Sequence, residues 1–398
     1  MAETGRTGSR EKSRRRETLN FALLLVMFII YALVFTIAKF YDYYNVVYPC
    51  AGITNFCILV VLLFNNVNVP AAIRNKDREL YILAALILIT GIDLIVVHSG
   101  KGAFFVPVNF LIIWYMSDKL YLSRRLMTVL AGLYMGFLLF YLFIAYPRLF
   151  TTFENYKYNT NTAATFTIYT LLCAFILLEI FYERSGIVGL FMVTLLLKGF
   201  QLSLWHRARG AFIMLIMFMI FRFIIPKNWW SIKPLYILLC IMATFGSLVF
   251  VGLYVVVGAT GANFRMPFFY KEVFSGREQI WYELFLKLVD REHPYMLFTG
   301  IGTNFELESF FEKNVHNAMY NFVVIHGIIV FAGILYFIFK RLMKLRTNIT
   351  RSRVAMCAMC VIMAVFFESY FDVDLIWADY ALNLIYLLLF TGNYEEED

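Results

Sequence analysis

Residues 275–333 read SGREQIWYELFLKLVDREHPYMLFTGIGTNFELESFFEKNVHNAMYNFVVIHGIIVFAG and contain both kinds of sequence that make up this chain. From Asn317 onward the stretch opens an apolar run to Phe339, long enough for the roughly 20 residues that a membrane-crossing helix needs. The part before it is water-facing. Arg277 stands one turn before Trp281, His293-Pro294 leads to a Gly300-x-Gly302 turn, Glu306, Glu308 and Glu312 follow, and His316-Asn317 sits at the mouth of the apolar run. Over 277–289 the spacing puts Ile280, Trp281, Leu284 and Leu288 on one stripe and Arg277, Glu283 and Lys287 elsewhere. That pattern predicts a short amphipathic helix at the membrane surface, ended by Pro294.

Outward from this stretch the chain is mostly hydrocarbon-soluble. Hydrophobic residues make up 61% and charged residues 16%, which places it among all-α polytopic membrane proteins rather than globular ones. Apolar runs near 19–39, 44–64, 79–98, 103–117, 126–146, 163–182, 185–200, 210–225, 234–257, 317–339, 354–370 and 377–392 predict about twelve transmembrane helices. The predicted organisation is a basic N-terminus (1–18), helices one to nine (19–257), one large outer loop (258–316), helices ten to twelve (317–392) and an acidic tail (393–398).

The net charge of +8 does not mark a nucleic-acid binder, because the cations cluster in short segments between apolar runs. With the N-terminus inside, the cytoplasmic loops receive Arg74, Lys76 and Arg78, then Lys119, Arg124 and Arg125, then Arg184, then Lys227 and Lys233. The strongest cluster comes next: Lys340, Arg341, Lys344, Arg346, Arg351 and Arg353. The outer loops receive Lys101, Arg148, Lys157, Arg207 and Arg209. This alternation predicts both termini in the cytoplasm and the 258–316 loop outside, where it can meet the Arg207/Arg209 turn. The basic start resembles a signal peptide, but the apolar run after it is too long and lacks a small-x-small cleavage site, so it reads as an uncleaved first helix. Six cysteines lie in apolar runs, and Cys357-x-x-Cys360 reads as core filler rather than a metal or redox pair.

Positive charge on the outer side runs against the usual bias. A single arginine there is also a common interfacial anchor. A guanidinium is nevertheless the best group for forked hydrogen bonds to phosphate oxygens, so Arg277 and Arg209 together suit a diphosphate, with Arg207 the rival of Arg209. His316 could serve as a structural hydrogen-bonder or as a base toward a hydroxyl, and Asn317 could orient it or cap the helix. Glu272, Glu278, Glu283, Glu306, Glu308 and Glu312 read as a solvated loop in which no spacing selects an acid/base pair. Asp93 and Glu368, within apolar runs, are costly and are expected to have partners. Asp372, Asp374 and Asp379 are a scattered set with weak cation-binding character. No P-loop, GxSxG, HExxH or Rossmann pattern is present, leaving no visible way to use a nucleotide.

Ser275-Gly276-Arg277, Trp281, Pro294, Gly300-x-Gly302 and His316-Asn317, with Gly327 in the helix that follows, resemble the signature region of the O-antigen polymerase and O-antigen ligase superfamily. Ala208-Arg209-Gly210-Ala211 is similar to its Ser-Arg-Gly segment, with Ala208 in place of the serine. Asn159-Thr160-Asn161-Thr162-Ala163-Ala164 is similar to its Asn-x-Asn-x-x-Ala segment. The resemblance spans residues 155–335 and implies metal-independent inverting transfer of a glycan from an undecaprenyl-diphosphate carrier, with no cofactor, on the outer face of a bacterial inner membrane. His316 would be the base, and Arg277 and Arg209 would hold the diphosphate. Arg207, Trp281, Asn317, Gly300 and Gly302 would bind diphosphate or glycan.

The function so implied is a polysaccharide polymerase building O-antigen, capsule or exopolysaccharide in the cell envelope, with a flippase and a chain-length regulator as partners. The alternatives are a ligase that passes the glycan to a lipid or protein acceptor and, from another class, a transporter or flippase. The absence of an internal repeat and the large outer loop weigh against the transporter.

Overall fold

The computed structural model describes residues 2–38, 44–97, 99–100, 102–146, 160–182, 186–261, 265–266, 271–272, 276–307 and 315–394. Within them each of the twelve apolar runs forms a helix. The first six are α1 (Ala2–Leu33), α2 (Tyr44–Asn66), α3 (Arg78–Val96), α4 (Gly102–Met116), α5 (Arg124–Phe140) and α6 (Thr160–Phe181). The other six are α7 (Gly186–Trp205), α8 (Arg209–Met219), α9 (Lys233–Thr260), α10 (Ala318–Arg351), α11 (Arg353–Glu368) and α12 (Ala381–Asn393). Eight helices among the described residues are long and apolar enough to cross a membrane. The chain is thus an all-α multi-pass membrane protein. Between α9 and α10, β1 (Arg265–Met266) pairs antiparallel with β2 (Lys271–Glu272), Arg265 opposite Glu272.

The four shorter helices are α4, α8, α11 and α12. Helix α8 is continued by a π turn over Ile220–Ile224. Helices α11 and α12 have 16 and 13 residues. At 1.5 Å per residue they reach only about 20–24 Å, less than the ~30 Å of a bilayer core. Their connection, 369–380, is drawn inward, and Val373, Leu375, Ile376 and Tyr380 are buried. Irregular backbone at that depth is tolerated where protein, not lipid, surrounds it. The predicted twelfth helix from 377 therefore starts later. Asp374–Ile376 and Ala378–Tyr380 are 3₁₀ turns instead.

Helix α11 is the centre of the bundle, buried from Val354 through Phe366. The lipid-facing surface lies on helices such as α7, where Ile187, Leu190, Val193 and Leu197 are exposed at helical spacing. Polar side chains tie the interior together. Tyr134 Oη donates to Asn383 Oδ1 at 2.6 Å, and Tyr31 Oη meets Thr170 Oγ1 at 2.7 Å, so α1, α5, α6 and α12 share one network.

Two expectations change. The basic cluster from Lys340 to Arg351 was predicted as a loop but continues α10, which is 34 residues long. Lysine and arginine are good helix formers, and the turn comes only at Ser352, whose side chain accepts from Ala355 N at 3.1 Å to start α11. Asp93 was expected to have a partner, yet its Oδ2 is buried with no hydrogen-bond partner among the described residues.

At the basic end of the bundle Glu179 is enclosed by two arginines. Arg222 donates from Nε and Nη2 to its two oxygens at 2.8 and 2.9 Å, and Arg353 Nε donates at 2.7 Å while lying over the Tyr182 ring. The Glu179 side chain is 0% exposed and that of Arg222 11%. Glu179→Gln would leave two guanidinium groups without their counter-charge. Removing one partner of a buried pair costs on the order of 3–5 kcal/mol, so the variant is expected to show a clearly lowered Tm in detergent. An unchanged Tm would mean that solvent already screens the triad.

Candidate functional site at the loop end

Three separate turns converge at the end of the bundle opposite the basic cluster. The first precedes α8. Arg207 takes a left-handed φ of 51°, which reverses the chain after α7, and Ala208 is extended before the helix begins at Arg209. Arg207 is exposed, whereas Arg209 is half-buried. A Cβ on Gly210 would stand 3.0 Å from Glu368 Oε1, so the first turn of α8 lies directly against the end of α11. The positive end of α8 there favours a carboxylate.

The second turn carries Arg277. It opens a helix over Arg277–Leu288, as the spacing predicts. The stripe of Ile280, Trp281, Leu284 and Leu288 is buried, at 0–2% exposure, because it packs on the last turns of α9. The apolar stripe of the predicted surface helix is thus covered by α9 rather than by lipid. Trp281 packs against Tyr254 with the rings tilted by 45° and their centroids 4.8 Å apart, and its Nε1 donates to Val315 O at 2.6 Å.

The third turn carries His316. Its left-handed φ of 53° is costly for a residue other than glycine, and its two neighbours hold it there. Val315 is held by Trp281. Asn317 caps α10, accepting from Tyr320 N and Ser247 Oγ at 2.9 Å each and donating to Tyr370 O at 3.0 Å. The clamp leaves the imidazole facing the 369–380 turn, with Nδ1 3.9 Å from Asp372 Oδ1. At that separation the contact is electrostatic rather than a formed hydrogen bond.

Charge connects the three turns. Arg277 acts on Arg209 and Tyr254 on one side and on Asp372 and Glu368 on the other. Burial pushes the Asp372 carboxyl up, but His316 and Arg277 outweigh it and hold the group below the ordinary carboxylate range. Glu368, Asp372 and Asp374 offer oxygens within 4.8 Å of one another, a set able to hold a divalent cation. Arg277 supplies positive charge to Asp372 and Glu368, and His316 faces Asp372. Both oxygens of the fully buried Glu368, expected to be paired, have no hydrogen-bond partner among the described residues.

The predicted trio Arg209, Arg277 and His316 is thus brought to one end of the bundle. Four predicted binding residues have other work. Trp281 and Asn317 are 0% exposed and spend their polar atoms on Val315, Ser247, Tyr320 and Tyr370, so they position His316 and touch nothing from outside. Gly300 enters a backbone crossing with α10 at Gly327, the point where that helix is broken. A Cβ on either glycine would collide with the other segment's backbone, and Ile301 N donates to Val324 O at 2.7 Å. Gly302 is buried against the side chains of Ser99 and Val97. Glu306 is exposed and Glu278 buried, while Asn159, Glu308 and Glu312 lie outside the described residues.

The carboxylates of the 368–374 turn are what sequence reasoning undervalued. A signal was present: Glu368, Asp372, Asp374 and Asp379 are the only acidic residues between 313 and 394. No family model matches the chain, and no curated protein matches it.

Proposed function

We propose that this protein is a polysaccharide polymerase that joins undecaprenyl-diphosphate-linked repeat units, at the outer face of a bacterial cytoplasmic membrane, into O-antigen, capsule or exopolysaccharide. The observation that carries the reading is the gathering of Arg209, Arg277 and His316 from three separate turns, with the two arginines close enough to act on each other. Like charges are held together at a cost, and an anion that both can fork onto relieves it.

In the proposed reaction a hydroxyl of the acceptor glycan gives its proton to the His316 ring. Its oxygen bonds to the anomeric carbon of the donor from the side opposite the carrier. The bond from that carbon to the diphosphate oxygen breaks, and undecaprenyl diphosphate leaves with the electron pair. Arg277 and Arg209 neutralise the charge that develops on it. Asp372, beside Nδ1, would fix the ring and favour the imidazolium that forms.

Asp372 also gives a pH test. A carboxyl held below its unfolded value stabilises the fold above that value, and loses the contribution as pH falls through its lowered native pKa. Asp372→Asn is therefore expected to melt below wild type at neutral pH, with the gap closing below roughly pH 4. A gap that widens in acid would remove the carboxylate from the His316 environment.

The functional test is a gel of surface and lipid-linked glycans from cells lacking the protein, complemented with wild type or with His316→Ala. Single repeat units in the deletion, restored to a ladder by wild type alone, support a polymerase. Full-length chains that stay on the carrier lipid identify a ligase. Unchanged glycans throughout sink both readings and move the transporter forward.

A further inference from the structure

The acidic turn at the loop end holds more negative charge than its surroundings answer. Phe371 N donates to Glu368 O at 2.8 Å, Ala318 N to Ser369 O at 3.0 Å and Asn317 Nδ2 to Tyr370 O at 3.0 Å. These bonds pin the turn to the end of α11 and the start of α10. The turn carries Asp372 and Asp374 back toward Glu368, so that one oxygen of each lies within 4.8 Å of the others. Like charges this close repel one another, and burial removes the water that would screen them.

Glu368 gives the cluster its direction. Its side chain is 0% exposed, and neither oxygen has a hydrogen-bond partner among the described residues, although one of them faces Asp372 and Asp374. A buried carboxylate left in that state is costly. Arg277 acts on Glu368 and Asp372 and answers one of the three negative charges, while Arg209 lies toward Tyr254 on its other side. His316, with Nδ1 3.9 Å from Asp372 Oδ1, adds charge only when protonated. Two negative charges remain, the number that one divalent cation neutralises.

The spacing selects among such cations. An ion at the centre of the three oxygens stands at most about 2.8 Å from each of them. Calcium takes oxygens at about 2.3–2.6 Å and is reached by small side-chain shifts, whereas magnesium demands about 2.0–2.1 Å and a near-ideal octahedron. The oxygens of Glu368 need no open surface for this, because a cation sits between its ligands rather than in a water-sized cavity. Asp372, with its side chain 30% exposed, forms the mouth of the site, where water can enter and complete the coordination. We propose that Glu368, Asp372 and Asp374 bind one calcium ion, which clamps the 369–380 connection to the end of α11. The clamp does not rest on the proposed glycan transfer, and either can fail without the other.

The test uses the full chain in neutral detergent at neutral pH, stripped with EDTA and then titrated with CaCl₂ or MgCl₂. It follows Tm and counts bound calcium by elemental analysis after desalting. A ligand that binds the native state raises Tm in a saturable way. The expected result is a saturable rise with one calcium ion per chain, and at least about tenfold more magnesium for the same rise. Glu368→Gln keeps the shape and removes one charge. It is expected to melt above the stripped wild type, because repulsion is relieved, and to lose the response to calcium. A variant that was merely destabilised would melt lower. Asp374→Asn is expected to need about tenfold more calcium, and it carries the test should Glu368→Gln fail to accumulate. No saturable response in the wild type would overturn the site and leave Glu368 neutralised by its own proton. An unchanged calcium midpoint in the variants would place the ion elsewhere, and an equal response to magnesium would remove the assignment to calcium.

Discussion

His316→Ala is expected to leave the protein in the membrane at wild-type abundance and to cut glycan transfer by roughly 10²–10⁴-fold, the range that a positioned general base supplies. The abundance half rests on where the ring sits. It is 20% exposed at the loop end and lies outside the hydrophobic core, while the neighbours that fix the turn, Trp281 and Asn317, stay in place. The activity half rests on the clamp. A left-handed backbone at a residue other than glycine costs on the order of 1–3 kcal/mol, and it is held here by contacts on both sides of one imidazole. His316→Asn is the control, because asparagine tolerates the left-handed region but cannot take up the hydroxyl proton. Immunoblots of membranes together with ladder length check both halves. Transfer near the wild-type rate in either variant would end the role of His316 as base.

The fold was legible wherever apolar length alone specifies it, which is why α2 to α9 and α11 fall close to their predicted places, whereas α1 and α10 extend into their basic flanks. It was not legible where two signals conflict. The run from Trp377 reads as the start of the last helix, but Asp374 and Asp379 bracket that start, and Asp374–Ile376 and Ala378–Tyr380 form buried 3₁₀ turns instead. The run after Lys340 reads as a loop by charge, yet it is helix by propensity. At the candidate site, Arg209 and Arg277 stood out because outer positive charge needs a reason. Trp281 and Asn317 were cast as binders because a sequence does not reveal which polar atoms will be spent on backbone partners. Glu368 was expected to have a partner that the sequence could not name, since its neighbours Asp372 and Gly210 come from outside its own helix.

Arg277→Lys separates charge from geometry and is expected to cost transfer about 10²–10³-fold, the effect of losing one preorganised donor to a developing oxyanion. Arg277 faces two kinds of partner. It acts on Asp372 and Glu368 on one side, and with Arg209 it is proposed to hold the diphosphate on the other. A planar guanidinium with five donors can serve both at once, whereas an ammonium is a single point that must choose. In the variant the carboxylates of the 368–374 turn would capture the lysine, because they are already in place before any substrate arrives. Protein abundance should therefore stay near wild type while turnover falls. The alternative is that Arg277 only neutralises the acidic turn. In that case Lys would suffice, transfer would remain near normal, and the diphosphate would have to be held by Arg209 or the exposed Arg207. The ratio of the Arg277→Lys rate to the Arg209→Lys rate decides between them. A deep loss at both positions is what two forks on one diphosphate require, and a loss at Arg209 alone would reduce Arg277 to a counter-charge.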